Sequence, residues 1–500
     1  MMTAQTFLGL DLGAESGRVM AADWDGQRVQ LHEVHRFPNR PVSLAGTLRW
    51  DLPRLWQELE DGLTRAAAQY PSQIAGVGVD TWGLDYVLLS KSDELLGLPF
   101  CYRDGRTHGG LEAAYRRVPR ADIFAASGVQ FLEINTLYQW LAHERQSPEV
   151  FAAADRFLMI PDWLNWCLCG SRVTEFTNAT TTQFLHPLKR TWSTDLLERF
   201  QLPTHLLPEL VEPGTALGTL RPTVSARTGL PAIPVLAPAT HDTASAVVAV
   251  PTERTGHNDW AYISSGTWSL VGIESKQPLL SETALRLNVT NEGGVDGTWR
   301  VLKNVTGLWL LQCCRHAFER RGGTTDYAGL VALAEAAPAG QSWVDPDDPR
   351  FLNPPDCPAV IQAFCRETNQ PVPVSEGALV RCALESLALK YAVVLDQLEQ
   401  LTGQAIQVVH VVGGGSRNQL LNQLTAAACG RPVIAGPVEA TAFGNGLLQI
   451  RATGGLSSLA EIRSVVRNST ELRSFVPRAS EQDWWAAARA RFARLLRTCV

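Results

Sequence analysis

Phe7-Leu-Gly-Leu-Asp-Leu-Gly13 and Arg18-Val-Met-Ala-Ala-Asp-Trp24 are two apolar runs joined by the short polar turn Ala14-Glu15-Ser16-Gly17. Runs of this length around a glycine-containing turn predict a β-hairpin. The layout returns at Tyr262-Ile-Ser-Ser-Gly-Thr-Trp-Ser-Leu-Val-Gly-Ile273, with a Gly among small hydroxyl residues between two runs. A recurring hairpin predicts two domains that open alike. Length agrees, since 500 residues exceed the ~250–300 that a single core serves.

Outward from the hairpins, Ile74-Ala-Gly-Val-Gly-Val-Asp80 and Ile233-Pro-Val-Leu-Ala-Pro-Ala-Thr-His-Asp242 read as buried strands with polar residues at their carboxyl ends. In open α/β sheets ligands sit beyond those ends. The polar stretch 250–259 breaks the pattern, which places the expected domains at 1–250 and 251–500. From Ser375 to Leu401 apolar residues recur at helical spacing with Gly403 as the stop. Gln407–Val412 then reads as a strand, followed by three glycines and a helix from Asn418 to Cys429 closed by Gly430. Alternating strands and helices in both halves predict an α/β protein. Glu481–Val500 reads as an amphipathic helix that packs back on the chain.

Composition is that of a globular protein, 45% hydrophobic and 19% charged. A formal net charge of -6 without a basic block gives no reason to expect nucleic acid or an anionic membrane as partner. No stretch reaches the ~18 apolar residues of a membrane span, and the start MMTAQTFLGL lacks the basic region of a signal peptide, so a cytoplasmic location is expected. The ten cysteines lack paired C-x-x-C spacing, which argues against zinc.

Four segments carry candidate chemistry, one of them the second hairpin turn Ser264-Ser-Gly-Thr-Trp268, which reads as a second phosphate loop. Asp11-Leu-Gly-Ala-Glu-Ser-Gly-Arg18 sets an acid at a strand end before a glycine turn, which reads equally as a phosphate-binding turn with a Mg²⁺-orienting acid or as a hairpin turn with a solvated Asp. It is neither a Walker A motif nor a dinucleotide fingerprint, because no Lys-Ser/Thr follows and the loop opens no long helix. Thr240-His-Asp-Thr-Ala-Ser-Ala246 places Asp242 where a strand yields to a small-residue helix. Residue type alone favours a helix N-cap there, with a proton acceptor as the rival reading. Val412-Gly-Gly-Gly-Ser-Arg-Asn418 fits a nucleoside lying on bare backbone, or simply the turn before a helix.

Eight spaced segments, GVDTWGLDYVLL (78–89), YRDGRTHG, INTLYQ, TNATTTQ, THDTASAV, SSGTWSLVG, NVTGLWLLQ and VVGGGSRNQLLNQL, resemble the FGGY family of carbohydrate kinases from Phe7 to about Ile450. The resemblance implies two ribonuclease H-like domains of the actin and Hsp70 ATPase type with a ligand cleft between them. It implies an N-terminal sugar-binding domain and a C-terminal nucleotide-binding domain. The reaction implied is ATP-dependent, Mg²⁺-assisted phosphorylation of L-rhamnulose at its 1-hydroxyl by a monomer or small homo-oligomer. Asp242 matches the catalytic base, and Asp11 the acid that orients Mg²⁺ through water. Ala14, Glu15, Ser16, Gly17, Arg18, Thr267, Gln312 and Gly414 match ATP contacts. Gly83, His241, Asp242, Thr243 and Asn304 match sugar contacts.

Ala14-Glu15 departs from the family pattern of a Thr or Ser after the first glycine, which leaves Ser16 and the backbone to supply phosphate donors. For Trp82, Tyr86, Tyr138 and Trp268, beside the sugar motifs, core packing outweighs a sugar platform. A kinase for fuculose, xylulose or glycerol, and a nucleotide-switched binding protein without an acceptor sugar, are the competing functions.

Overall fold

The structure, a computed structural model, describes residues 5–71, 73–323 and 326–498. The chain forms two compact units. The first comprises Met1–Ala249, Ser275–Val301 and Ala440–Ser469, and the second Val250–Glu274, Leu302–Glu439 and Thr470–Val500. These compact units are not contiguous in sequence: the chain leaves the first unit at Ala249 and returns to it twice. The second return is dictated by the helix Ala440–Ala452, which buries Asn445 and Gln449 against strands of the first unit.

The first unit is built on a six-stranded sheet of β1 (Gln5–Leu12), β2 (Ser16–Trp24), β3 (Val29–Pro38), β4 (Ile74–Thr81), β5 (Ala216–Thr219) and β6 (Pro234–Leu236), in the order β5-β6-β4-β1-β2-β3. β1 and β2 form the expected antiparallel hairpin, and β4 lies parallel to β1. The helix Leu52–Gln69 buries Leu52, Leu55, Leu59, Leu63 and Ala66 at helical spacing and packs on β2 and β3. Each such leucine stabilises the fold by roughly 1.5–3 kcal/mol.

Glycines admit the helix Ala440–Ala452 to this sheet. A Cβ on Gly78 would lie 2.8 Å from Gln449 Nε2, and one on Gly444 would lie 1.9 Å from the carbonyl oxygen of Ser245. The second contact presses the helix against Asp242–Val248, the helix that carries the candidate base.

In the second unit the strands β7 (Trp260–Ser265), β8 (Trp268–Ser275), β9 (Val408–Val412), β10 (Val433–Ala435) and β11 (Arg473–Phe475) run in the order β8-β7-β9-β10-β11. β7 and β8 are an antiparallel hairpin, with β9 parallel to β7. That repeats the β2-β1-β4 arrangement of the first unit, so the recurring sequence layout reflects a recurring topology. The long helix spans Glu376–Thr402, with Ser375 Oγ accepting from Ala378 N at 3.2 Å and Gly403 closing it at φ +69°. The next helix, Gln419–Cys429, has Asn418 as its N-cap and Gly430 as its C-cap.

The C-terminal helix, Gln482–Thr498, packs on both of these and buries Trp485 and Phe492. The last two residues of the amphipathic segment read from sequence lie outside the described residues. Among the described residues no helix is long and apolar enough to cross a membrane.

Candidate active site

The parallel pairing of β1 and β4 sets Asp11 opposite Asp80, and Thr81 bridges to His241 with its N–H donating to the Thr240 carbonyl at 2.9 Å. Strand register thus brings Asp11, Asp80 and Asp242 to one edge of the first sheet. Arg18 Nη2 donates to Asp11 Oδ2 at 2.5 Å. Asp80 is fully buried, with Oδ2 accepting from Asn445 Nδ2 at 2.6 Å and Oδ1 lacking a partner. Burial first, and the Asp11 charge second, hold the Asp80 carboxyl well above the usual carboxylate range.

Asp242 is the first residue of its helix; His241 occupies the N-cap position and makes no side-chain cap. The Asp242 Oδ1 accepts from Thr243 N at 2.5 Å and Thr243 Oγ1 at 3.1 Å, without bonding further along the turn. The N-cap reading is corrected by this placement, because a cap lies one residue earlier and reaches two or three residues ahead. The carboxylate is 29% exposed and open to a ligand. Burial raises its pKa, His241 opposes that rise and Asp11 adds to it.

The loop that presents Asp242 hangs on a buried carboxylate. Glu175 Oε2 accepts from Thr240 N at 2.9 Å, Thr240 Oγ1 at 2.7 Å and Thr177 Oγ1 at 2.5 Å. The TNATTTQ segment completes the scaffold. Thr177 Oγ1 accepts from His241 N, Asn178 Nδ2 donates to the Thr240 carbonyl, and Thr181 Oγ1 accepts from Leu84 N. A Cβ on Gly83 would sit 2.9 Å from Thr181 Oγ1, so the glycine seats its loop against the same segment. Gly83, His241, Asp242 and Thr243 are thereby tied into one assembly, with Asp11 at its edge.

The turn Ala14–Arg18 belongs to the same unit. Asn39 holds it, its Nδ2 donating to the Gly13 carbonyl at 2.8 Å and its N–H to the Glu15 carbonyl at 2.9 Å. The Glu15 side chain is exposed.

The other predicted contacts lie in the second unit. Thr267 accepts at its carbonyl from Gly307 N and Trp309 N, each at 3.1 Å, at the start of the helix Trp309–Arg320. Gln312, on that helix, has a buried Oε1 without a partner. Asn304 lies on the strand Trp299–Thr306. Gly414 is exposed in the turn Gly414–Arg417, and a Cβ on the adjacent Gly415 would meet Ser265 Oγ at 2.0 Å. Close approach to the end of β7 thus demands Gly415, and with its positive φ also Gly413, while a Cβ on Gly414 would meet open space.

Trp82 packs on Trp50 with ring centroids 4.4 Å apart. Both indole N–H groups donate to Asp85 Oδ2, at 3.0 and 2.6 Å. Tyr86 donates or accepts with His143, and Tyr138 is fully buried. These three rings are packing residues.

Asp11, paired with Arg18 at the end of β1, supplies a carboxylate of the kind a hard divalent cation takes. Among the described residues no three acidic, His or Cys side chains are grouped to chelate one directly. The fit is to an ion such as Mg²⁺, which keeps its waters and takes one or two carboxylates.

Sequence reasoning passed over Asn445, Glu175, Glu292 and Arg300. Asn445 and Gln449 had left one signal: polar residues four apart on a helix otherwise of Gly, Ala and apolar side chains.

Residues 6–249 match the N-terminal domain of the FGGY family of carbohydrate kinases and residues 261–453 its C-terminal domain. The chain is 41% identical to a rhamnulokinase of Bacteroides thetaiotaomicron over 99% of its own length and 100% of the relative's. To a rhamnulokinase of Pectobacterium atrosepticum it is 44% identical over 97% and 95%. A xylulose kinase from Lactobacillus acidophilus shares the fold at a TM-score of 0.81 and 16% identity, covering 99% and 98%. The ADP-bound glycerol kinase of Plasmodium falciparum does so at 0.75 and 15%, covering 98% of each chain.

Proposed function

The chain belongs to the FGGY family of carbohydrate kinases, and from that premise we propose that it phosphorylates L-rhamnulose at the 1-hydroxyl, giving L-rhamnulose 1-phosphate and ADP from ATP. The observation that carries the sugar assignment is the 41–44% identity to rhamnulokinases over nearly the full length.

In this reading Asp242 takes the proton of the 1-hydroxyl as that oxygen attacks the γ-phosphorus, and the β,γ-bridging oxygen leaves with ADP. Gly83, His241, Thr243 and Asn304 hold the sugar. Ala14 to Arg18, Thr267, Gln312 and Gly414 hold ATP, with the nucleotide assigned mainly to the second unit. Mg²⁺, held by Asp11 through water, would neutralise phosphate charge. Loose transition states of this kind depend on placement and electrostatics more than on covalent chemistry.

The test is ADP release with Mg-ATP over a panel of L-rhamnulose, L-fuculose, D-xylulose and glycerol. L-rhamnulose should give the highest kcat/KM. A clear preference for another acceptor overturns the substrate, and ATP turnover equal with and without sugar would make the protein a nucleotide switch.

A further inference from the structure

Arg300 is fully buried in the first unit, with Glu292, the Gly293 carbonyl and His241 around its guanidinium. Nε donates to the Gly293 carbonyl at 2.9 Å, Nη1 lies 3.1 Å from Glu292 Oε2, and Nη2 lies 3.1 Å from His241 Nδ1. Gly293 N in turn donates to Thr180 Oγ1 at 2.8 Å, which anchors the Glu292–Gly293 strand to the segment behind the Asp242 loop. On its other edge His241 presents Nε2 3.5 Å from Asp242 Oδ1.

A guanidinium can only donate, so the Arg300 contact is satisfied when Nδ1 accepts and the ring proton sits on Nε2. Glu292 Oε2 lies 3.4 Å from the same Nδ1, so the Arg300 Nη2 contact at 3.1 Å is the shorter of the two. The charged groups around the imidazole are Asp242, Glu292 and Arg300, with Glu175 beneath the loop and Asp11 and Asp80 beyond Asp242. Glu292 neutralises the buried Arg300, which is then free to set the tautomer.

We propose that Arg300, braced by Glu292 and the Gly293 carbonyl, is a positioning residue that locks His241 as the neutral Nε2–H tautomer, so that the imidazole is a hydrogen-bond donor beside Asp242. This rests on Asp242 being the base. A donor there can hold the acceptor hydroxyl's oxygen while Asp242 takes its proton. A Nδ1–H tautomer would present a lone pair instead and compete for that proton.

The deciding measurement is ¹⁵N NMR of the full-length protein labelled in histidine, with His241 assigned by loss of its signals in His241→Gln. The expected spectrum has an unprotonated Nδ1 and a protonated Nε2. A proton on Nδ1, or a charged ring at neutral pH, overturns the proposal. The variant Arg300→Met should move the proton toward Nδ1, next to Glu292, and raise KM for L-rhamnulose at least tenfold while KM for ATP stays within twofold. Since it strands a buried carboxylate, Glu292→Leu/Arg300→Met provides a charge-free partner for the same measurements. A folded Arg300→Met with the parent tautomer and parent KM for the sugar also overturns it, as does a folded double variant with parent KM for the sugar. Full activity in Asp242→Asn would instead refute the base assignment and leave the tautomer result standing.

Discussion

Asn445 Nδ2 donates to Asp80 Oδ2 at 2.6 Å, joining residues 365 positions apart. The amide is oriented by Gln449, whose Nε2 donates to Asn445 Oδ1 at 2.6 Å and to the Leu8 carbonyl at 2.9 Å. Asn445→Leu leaves Asp80 without its donor, and an unsatisfied buried polar group costs about 1–3 kcal/mol. Thermal unfolding should move down by several degrees and kcat should fall. Asn445→Asp should be worse, since it sets a second carboxyl against Asp80. Parent-like unfolding and turnover in both variants would show that the contact carries no weight.

Asp242→Asn should reduce kcat by several orders of magnitude with KM for ATP within a few-fold, because the change removes only the proton acceptor. The base works ionised, and its pKa is raised by burial and by Asp11. Sugar kcat/KM in the parent enzyme should therefore fall on the acid side through a pKa above the ordinary Asp value of 3.8. Initial rates across the acid range check both points, and turnover within tenfold of the parent would place the base elsewhere.

Gly444→Ala inserts a methyl where the Ser245 carbonyl oxygen lies 1.9 Å away. The helices Asp242–Val248 and Ala440–Ala452 must part, at the 1–3 kcal/mol typical of overpacking. The displacement acts on the helix whose first residue is Asp242, so kcat should drop together with the unfolding midpoint. Urea unfolding and steady-state rates on one preparation suffice, and loss of neither would mean the helices have slack.

Burial pushes the Asp85 carboxyl up to about 6, although Gln139, Trp50, Trp82 and Tyr102 all donate to it. The folded state then binds a proton that the unfolded chain has released near 3.8. The stability from this group is full below that lower value and is lost as pH rises through about 6. From about pH 4 to about pH 7 the loss amounts to about 2 kcal/mol at 1.36 kcal/mol per pKa unit. Comparing urea unfolding of the parent with Asp85→Asn across that range should expose it; parallel curves would mean that Asp85 titrates normally.

The two glycine hairpins, the capped helix Glu376–Thr402 and the strand, glycine turn and helix around Gly414 were legible in the residues themselves. Each depends on a run, a cap or a turn within a few positions, and those local preferences are written in side-chain periodicity and in where glycine stands. Asp242 marks the limit. Ser, Asp and Asn at a helix start all resemble caps, and only the hydrogen bonds of the folded chain put its helix one residue earlier and released its carboxylate from capping. The return of Ala440–Ser469 to the first unit, the bond from Asn445 to Asp80 and the contact of Arg300 with His241 were decided by tertiary structure alone. They join distant segments through glycine faces that let backbones and buried polar groups approach, and no local pattern records which distant residue will arrive.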